Sequence, residues 1–227
     1  MCSSDLEVAS AFTIEALKAF YQSAEITARV QAAFERARGT AAEAGLVDDS
    51  PHGLRLRKAV ESANISVYRM AQQHEQLRDM GTTVVAIHFD DEYSTMAHVG
   101  DSRCYRLRRG ELKQMTEDHS LLNDYKKMAV LTPEEEANFP HKNIIVRACG
   151  LKDNVVVDID KERPERGDVY ILCSDGLSGE VTDPQIQQIM VEAGTDLQAM
   201  VSRLIQTACD NGGKDNVTCI AVRVDDV

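Results

Sequence analysis

Residues 97–122 read AHVGDSRCYRLRRGELKQMTEDHSLL, and this stretch decides how the rest of the chain is read. Its pieces "RCYRLRRG" and "LKQMT" are short runs of alternating or β-branched residues separated by turn residues. Such runs predict antiparallel strands in a meander. Arg109-Gly110 sits between two of them and predicts a hairpin turn. Working outward, "TTVVAIHF" (82–89) and "YSTMAHVG" (93–100) read as two more strands, with "FDDEY" (89–93) as the turn between them. Further on, "NVVVDID" (154–160), "DVYILCSD" (168–175) and the closing "NVTCIAVRV" (216–224) also read as strands.

Helices surround this strand-rich middle. One helical block runs from Glu7 to about Arg38, is broken by "GTAAEAGLVDDSPHG" (39–53), and is followed by a helix from about Leu54 to Arg78. Leu56, Val60, Ala63, Val67 and Met70 step by four, three, four and three residues, which puts them on one face. A polar helical region is expected from Ser120 to Asn138, with Thr132 capping a helix that starts at Pro133. Asp183-Pro184 repeats that start for a helix through Ala193, and another covers Leu197 to Cys209. With no repeats and no long linker, the reading is one α+β domain with mostly antiparallel sheets.

The 227 residues carry a formal net charge of −12, which argues against a nucleic-acid or anionic-membrane surface, since both need clustered Lys and Arg. No run approaches the roughly 18 apolar residues that span a membrane, and no secretory signal pattern opens the chain. The six cysteines form no metal-ligand spacing and mostly sit in apolar runs, so they read as reduced, buried small hydrophobes. The expected setting is a reducing cytoplasm.

Three stretches place an aspartate at the end of an apolar strand, beside a small residue or a turn: Asp101 in "GDSR", Asp175 in "CSDGL" and Asp215 in "GGKDNVT". A carboxylate held there is rigid and partly desolvated, and costly if unpaired. Several at one rim repel one another, and the usual remedy is a hard divalent cation with oxygen ligands. Gly176, beside Asp175, lets backbone, water or substrate come close.

Taken in order and spacing, "GTTVVAIHF", the 97–122 stretch, "NIIVRACG" (143–150), "GDVYILCSDGLSGEV" (167–181) and "GGKDNVTCIAVRV" (212–224) resemble the metal-dependent protein phosphatases, the type 2C serine/threonine phosphatases, and the bacterial single-domain branch most of all. The resemblance runs from Glu7 to Val224. It implies a four-layer α/β/β/α sandwich, with two antiparallel β-sheets between helical layers. It also implies hydrolysis of phosphoserine and phosphothreonine by a water activated between two Mn²⁺ or Mg²⁺ ions. Carried over by position, Asp175 and Asp215 are metal ligands, and Asp101 belongs to a third, weaker metal that shares Asp175. Asn216 supports Asp215 from behind, with Gly176 alongside. Residues Leu121 to Lys142 match a flap over the active site, and His119 reads as a structural turn residue. The implied partners are phosphorylated proteins and a cognate serine/threonine kinase, with the intact domain a monomer.

Two motifs of that family do not occur in these 227 residues. One is an R-x-x-N-E-D-like strand that carries a phosphate-binding arginine. The other is a V-x-D-G-M/H-G-G turn whose aspartate bridges the two metals. "LEVAS" (6–10) matches the family just after that turn, so the expectation is a domain over 7–227 whose first strands are missing. Met1 to Leu6 then reads as a non-native or disordered start, matching library adapter sequence joined to a truncated coding region. On this reading no catalytic residue is present beyond the metal ligands, and the chain is an inactive fragment of a phosphatase. One alternative is a non-catalytic relative that binds phosphoproteins or regulates. Another is a two-metal nuclease built on the same three aspartates, which the acidic charge disfavours.

Overall fold

The computed structural model describes residues 3–41, 50–137, 139–140 and 144–226. They form two compact units, one drawn from Met1–His88, Thr95–Gly100 and Val146–Lys161, the other from Phe89–Ser94, Asp101–Ile145 and Glu162–Val227.

The first unit holds helices α1 (Ser3–Gln22), α2 (Ala24–Ala41) and α3 (Pro51–Gln73) with a three-stranded sheet. Its strands β1 (Val84–Phe89), β2 (Ser94–Val99) and β5 (Asp158–Glu162) lie in the order β1-β2-β5. The single helix expected over 7–38 is divided at Ser23, whose hydroxyl accepts the Ile26 amide at 3.2 Å and so starts a new helix. Residues 3–6 are the first turn of α1; residues 1 and 2 lie outside the described residues. In α3 the predicted stripe is the buried face: Leu56 and Val60 pack with Val84, Ala97, Val99, Cys149 and Val157, while Val67 packs lower down with Met80. The β5 strand starts later than "NVVVDID" suggested. The carbonyls of Val156 and Val157 instead accept from the guanidinium groups of Arg147 and Arg57, at 3.3 and 3.2 Å.

The second unit is built on an antiparallel sheet in the order β4-β3-β6-β7. Its strands are β3 (Arg103–Arg108), β4 (Glu111–Gln114), β6 (Val169–Cys173) and β7 (Cys219–Arg223). The predicted turn at Arg109-Gly110 is present: both residues have positive φ, 53° and 85°, the conformation that a two-residue hairpin matched to strand twist requires. Beside the sheet run α4 (Leu121–Met128), α5 (Pro133–Ala137), α6 (Asp175–Ser178), α7 (Asp183–Ala193) and α8 (Leu197–Asp210). Thr132 caps α5 as expected, accepting the Glu135 amide at 3.3 Å while Glu135 accepts the Thr132 amide at 2.8 Å. The cap of α7 is Thr182 rather than Asp183: Thr182 and Gln185 form a reciprocal capping box, which places Asp183 inside the first turn.

One face of this sheet, with Tyr105, Ile171 and Cys173, packs on Ile186, Ile189 and Met190 of α7 and Met200, Leu204 and Ala208 of α8. This core fixes the ends of β6 and β7, where two of the candidate aspartates lie. Leu204 is fully buried. Truncation to alanine removes its contacts and leaves a cavity, so Leu204→Ala is expected to cost about 2–5 kcal/mol. Urea denaturation followed by circular dichroism checks this as a lower midpoint with the slope unchanged.

Candidate functional site

The second unit holds all three predicted aspartates. Asp101 stands two residues before β3, Asp175 is the first residue of α6 immediately beyond β6, and Asp215 lies in the loop that enters β7. What joins the last two is Ser174. Its amide donates to the Thr218 carbonyl at 3.1 Å, its hydroxyl donates to the Asn216 carbonyl at 2.9 Å, and the same hydroxyl accepts from the Thr218 amide at 3.0 Å. One residue therefore closes the ends of β6 and β7 around the two carboxylates.

Gly176 makes this approach possible. A side-chain carbon there would lie 2.5 Å from the Asn216 carbonyl oxygen, inside any permitted contact. The Asn216 backbone amide donates to the Asp215 carboxylate at 2.7 Å.

The electrostatics are those of crowded carboxylates. Burial pushes the Asp101 carboxyl up to about 6, and the charge of Asp175 adds to the push. Asp175 is raised by burial and then by Asp215, against the pull of backbone amides. The Asp101 Oδ1 atom is buried with no hydrogen-bond partner. A buried, unpartnered carboxylate oxygen within the field of two further carboxylates fits a hard divalent cation, which needs oxygen ligands and cancels their repulsion.

Two neighbours were not singled out in the sequence. Asp118 also acts on Asp101 and Asp175 electrostatically. It is held by Arg103, which donates from Nε at 2.9 and 3.1 Å and from Nη2 at 2.6 Å. Arg103 also donates to the Tyr105 hydroxyl at 2.8 Å, and Tyr105 donates to Asp183 at 3.0 Å. Burial opposes the Arg103 charge, but its hydrogen bonds to Asp118 outweigh it and keep the guanidinium firmly protonated. Arg103 directly follows "GDS", yet its partner is fifteen residues away, and no local pattern reports a pairing across a hairpin.

His119 is buried. The flap stretch contains α4 and α5, tied by Lys126 to Glu136 at 3.0 Å, and it exposes Met128 (79%) and Val130 (100%); residues 138 and 141–143 lie outside the described residues. "FDDEY" is the predicted turn: Asp90 accepts the amides of Glu92 and Tyr93, both at 2.8 Å, so it serves the hairpin. Among the described cysteines Cys104, Cys149 and Cys173 are buried as expected, but Cys219 is half-buried and Cys209 exposed.

The sequence profile of the protein phosphatase 2C family matches residues 7–219. The serine/threonine phosphatase stp of Listeria monocytogenes is 35% identical over 170 residues, covering 75% of this chain and 67% of its own length, so the chain spans about two thirds of that relative. The crystal structure of the Mycobacterium tuberculosis serine/threonine phosphatase PstP/Ppp superposes with a TM-score of 0.80 at 29% identity, covering 99% of this chain and 85% of that one. A structure of the PstP catalytic domain in complex with two manganese ions matches with a TM-score of 0.68 at 33% identity, over 88% of this chain and 82% of that one.

The raised Asp101 carboxyl gives a pH dependence with a definite sign. The folded state holds this proton more tightly than the unfolded chain. In cation-free protein, stability therefore falls as pH rises from about 4 through about 6. Asp101→Asn removes the penalty and is expected to stabilise cation-free protein at pH 7 by about 1–2 kcal/mol, after discounting for solvent screening. Thermal melts of both proteins in chelator at pH 4 and pH 7 read the difference.

Proposed function

Because the chain belongs to the protein phosphatase 2C family, we propose that Asp101, Asp175 and Asp215 are the cation-holding part of a metal-dependent serine/threonine phosphatase centre. The observation that carries this reading is the buried, unpartnered Asp101 Oδ1 in the field of Asp175, whose own carboxyl is raised by Asp215. Manganese or magnesium held there supplies Lewis acidity and a water activated for attack on phosphorus. The chain's own residues do the positioning. Ser174 keeps Asp175 and Asp215 together, the Asn216 amide orients the Asp215 carboxylate, and Arg103 ties Asp118 back. The substrates on this reading are proteins phosphorylated on serine or threonine, and the partner is the kinase that phosphorylates them. No helix among the described residues is long and apolar enough to cross a membrane, and we take a cytoplasmic monomer as the working state of the intact domain.

The 227 residues contain neither the R-x-x-N-E-D-like strand nor the V-x-D-G-M/H-G-G turn. We infer that this polypeptide binds a divalent cation but turns over phosphate esters slowly by itself. The presence of all three aspartates favours this over a non-catalytic relative, for which nothing selects a carboxylate cluster. Isothermal titration with Mn²⁺ is expected to show binding that Asp175→Asn weakens by about tenfold or more. p-Nitrophenyl phosphate turnover with Mn²⁺ should stay far below that of a PstP-type enzyme. Absence of Mn²⁺ binding overturns the phosphatase-centre reading. Turnover that matches the relative and is lost in Asp175→Asn overturns the slow-turnover inference.

A further inference from the structure

Cys173 and Cys219 stand directly opposite each other in the β6–β7 ladder. The hydrogen bonds of that ladder fall on the even-numbered residues of β6: Val224 donates to the Asp168 carbonyl at 2.9 Å, and Ser174 donates to Thr218 at 3.1 Å. Alternation then makes the pair 173/219 a non-hydrogen-bonded one, the closer class, with Cα atoms about 4.5 Å apart. That separation lies within the range of roughly 4.4–6.8 Å that a disulfide needs. Directly opposed residues share a face, and both sulfurs point to the helix side of the sheet, where Cys219 packs against the cluster that contains Cys173. Both side chains are free thiols; Cys219 is half-buried and Cys173 is 2% exposed.

We propose that Cys173 and Cys219 are a dithiol couple that closes to an intrachain disulfide under peroxide. Hydrogen peroxide reaches the more exposed Cys219 first. Its thiolate, a minor form because burial pushes the thiol up to about 12, attacks a peroxide oxygen; the O–O bond breaks, the leaving hydroxide takes up the thiol's proton as water, and a sulfenic acid remains. The Cys173 sulfur then attacks the Cys219 sulfur, the S–S bond forms, and a second water leaves. Two thiols lose two electrons, and one peroxide is reduced to two waters. The bond would weld the strand ends that Ser174 already closes. Cys173 precedes Ser174, and Cys219 follows Thr218, whose backbone binds Ser174. An effect on cation binding follows from this placement, and that part rests on the reading given under Proposed function.

The test treats the full chain with millimolar hydrogen peroxide, blocks the remaining thiols by alkylation, and measures intact mass and a peptide map without reductant. The expected result is loss of two hydrogens, with the peptides of Cys173 and Cys219 joined. The melting midpoint should rise by roughly 5 °C or more and fall back on addition of dithiothreitol. Cys219→Ser should abolish both effects, and Cys209→Ser, at an exposed position, should leave both unchanged. A bond that involves Cys209 or Cys104 instead, or Cys173 and Cys219 recovered separately after denaturation, overturns the proposal. In a parallel Mn²⁺ titration, closure should shift the dissociation constant by about threefold or more. An unchanged constant with the bond formed overturns the coupling to the cation site. Failure of the reduced protein to bind Mn²⁺ counts against the phosphatase reading instead, and the peptide map still decides the couple.

Discussion

The candidate site depends on holding like charges together, and the residue that does so is Ser174. Left alone, Asp175 and Asp215 would separate, because the charge of Asp215 raises the cost of ionising Asp175. The Ser174 amide and hydroxyl bind the backbone of residues 216 and 218 three times over. Each such bond is worth only about 1 kcal/mol net, yet together they fix a register that the Coulomb repulsion opposes. The clamp works because the strands beneath it are already packed on α7 and α8. Gly176 is the steric condition for it, since a side chain there would hold the 215–216 backbone away.

A second constraint decides how many charges the site presents. Asp118 acts on Asp101 and Asp175, but its oxygens are taken up by Arg103 and by the Gln114 amide, which donates at 3.1 Å. With the Asp118 oxygens taken up by Arg103 and Gln114, Asp101, Asp175 and Asp215 are the candidate carboxylates left to hold a cation. Arg103 is held in turn by the Tyr105 hydroxyl and, through it, by Asp183 at the start of α7. The helix that covers the sheet thus also steadies the charge pattern at the sheet's edge.

Much of this was legible in the sequence, and the parts that were not have physical reasons. The strands around Asp101 and Asp175 announce themselves by alternation and turn residues, and Arg109-Gly110 has the backbone angles its composition demands. The α3 stripe is the buried face because helical spacing leaves no other way to gather Leu56, Val60 and Val67. Errors fell where a side chain competes with the backbone. Ser23 starts a new helix inside an unbroken helical pattern, Thr182 rather than Asp183 caps α7, and two arginines take the carbonyls that would have begun β5 earlier. At the site, the three aspartates were found because each ends or begins an apolar strand. Asp118 was not, since its importance comes from a pairing with Arg103 that exists only once the β3–β4 hairpin has formed.

The charge left over points to the chemistry. One divalent cation among three carboxylates leaves the site negative, and such a site repels a phosphate monoester. Two divalent cations leave it positive, which is what an anionic substrate and the charge developing in its transition state require. Arg103 cannot supply that positive charge in their place, because Asp118 consumes it. A phosphate-binding function for these residues therefore demands more than one cation, or a further basic group beyond those the carboxylates already hold. A purely structural role for the same carboxylates would need only one cation. The number of ions bound per chain thus separates the two roles before any turnover is measured.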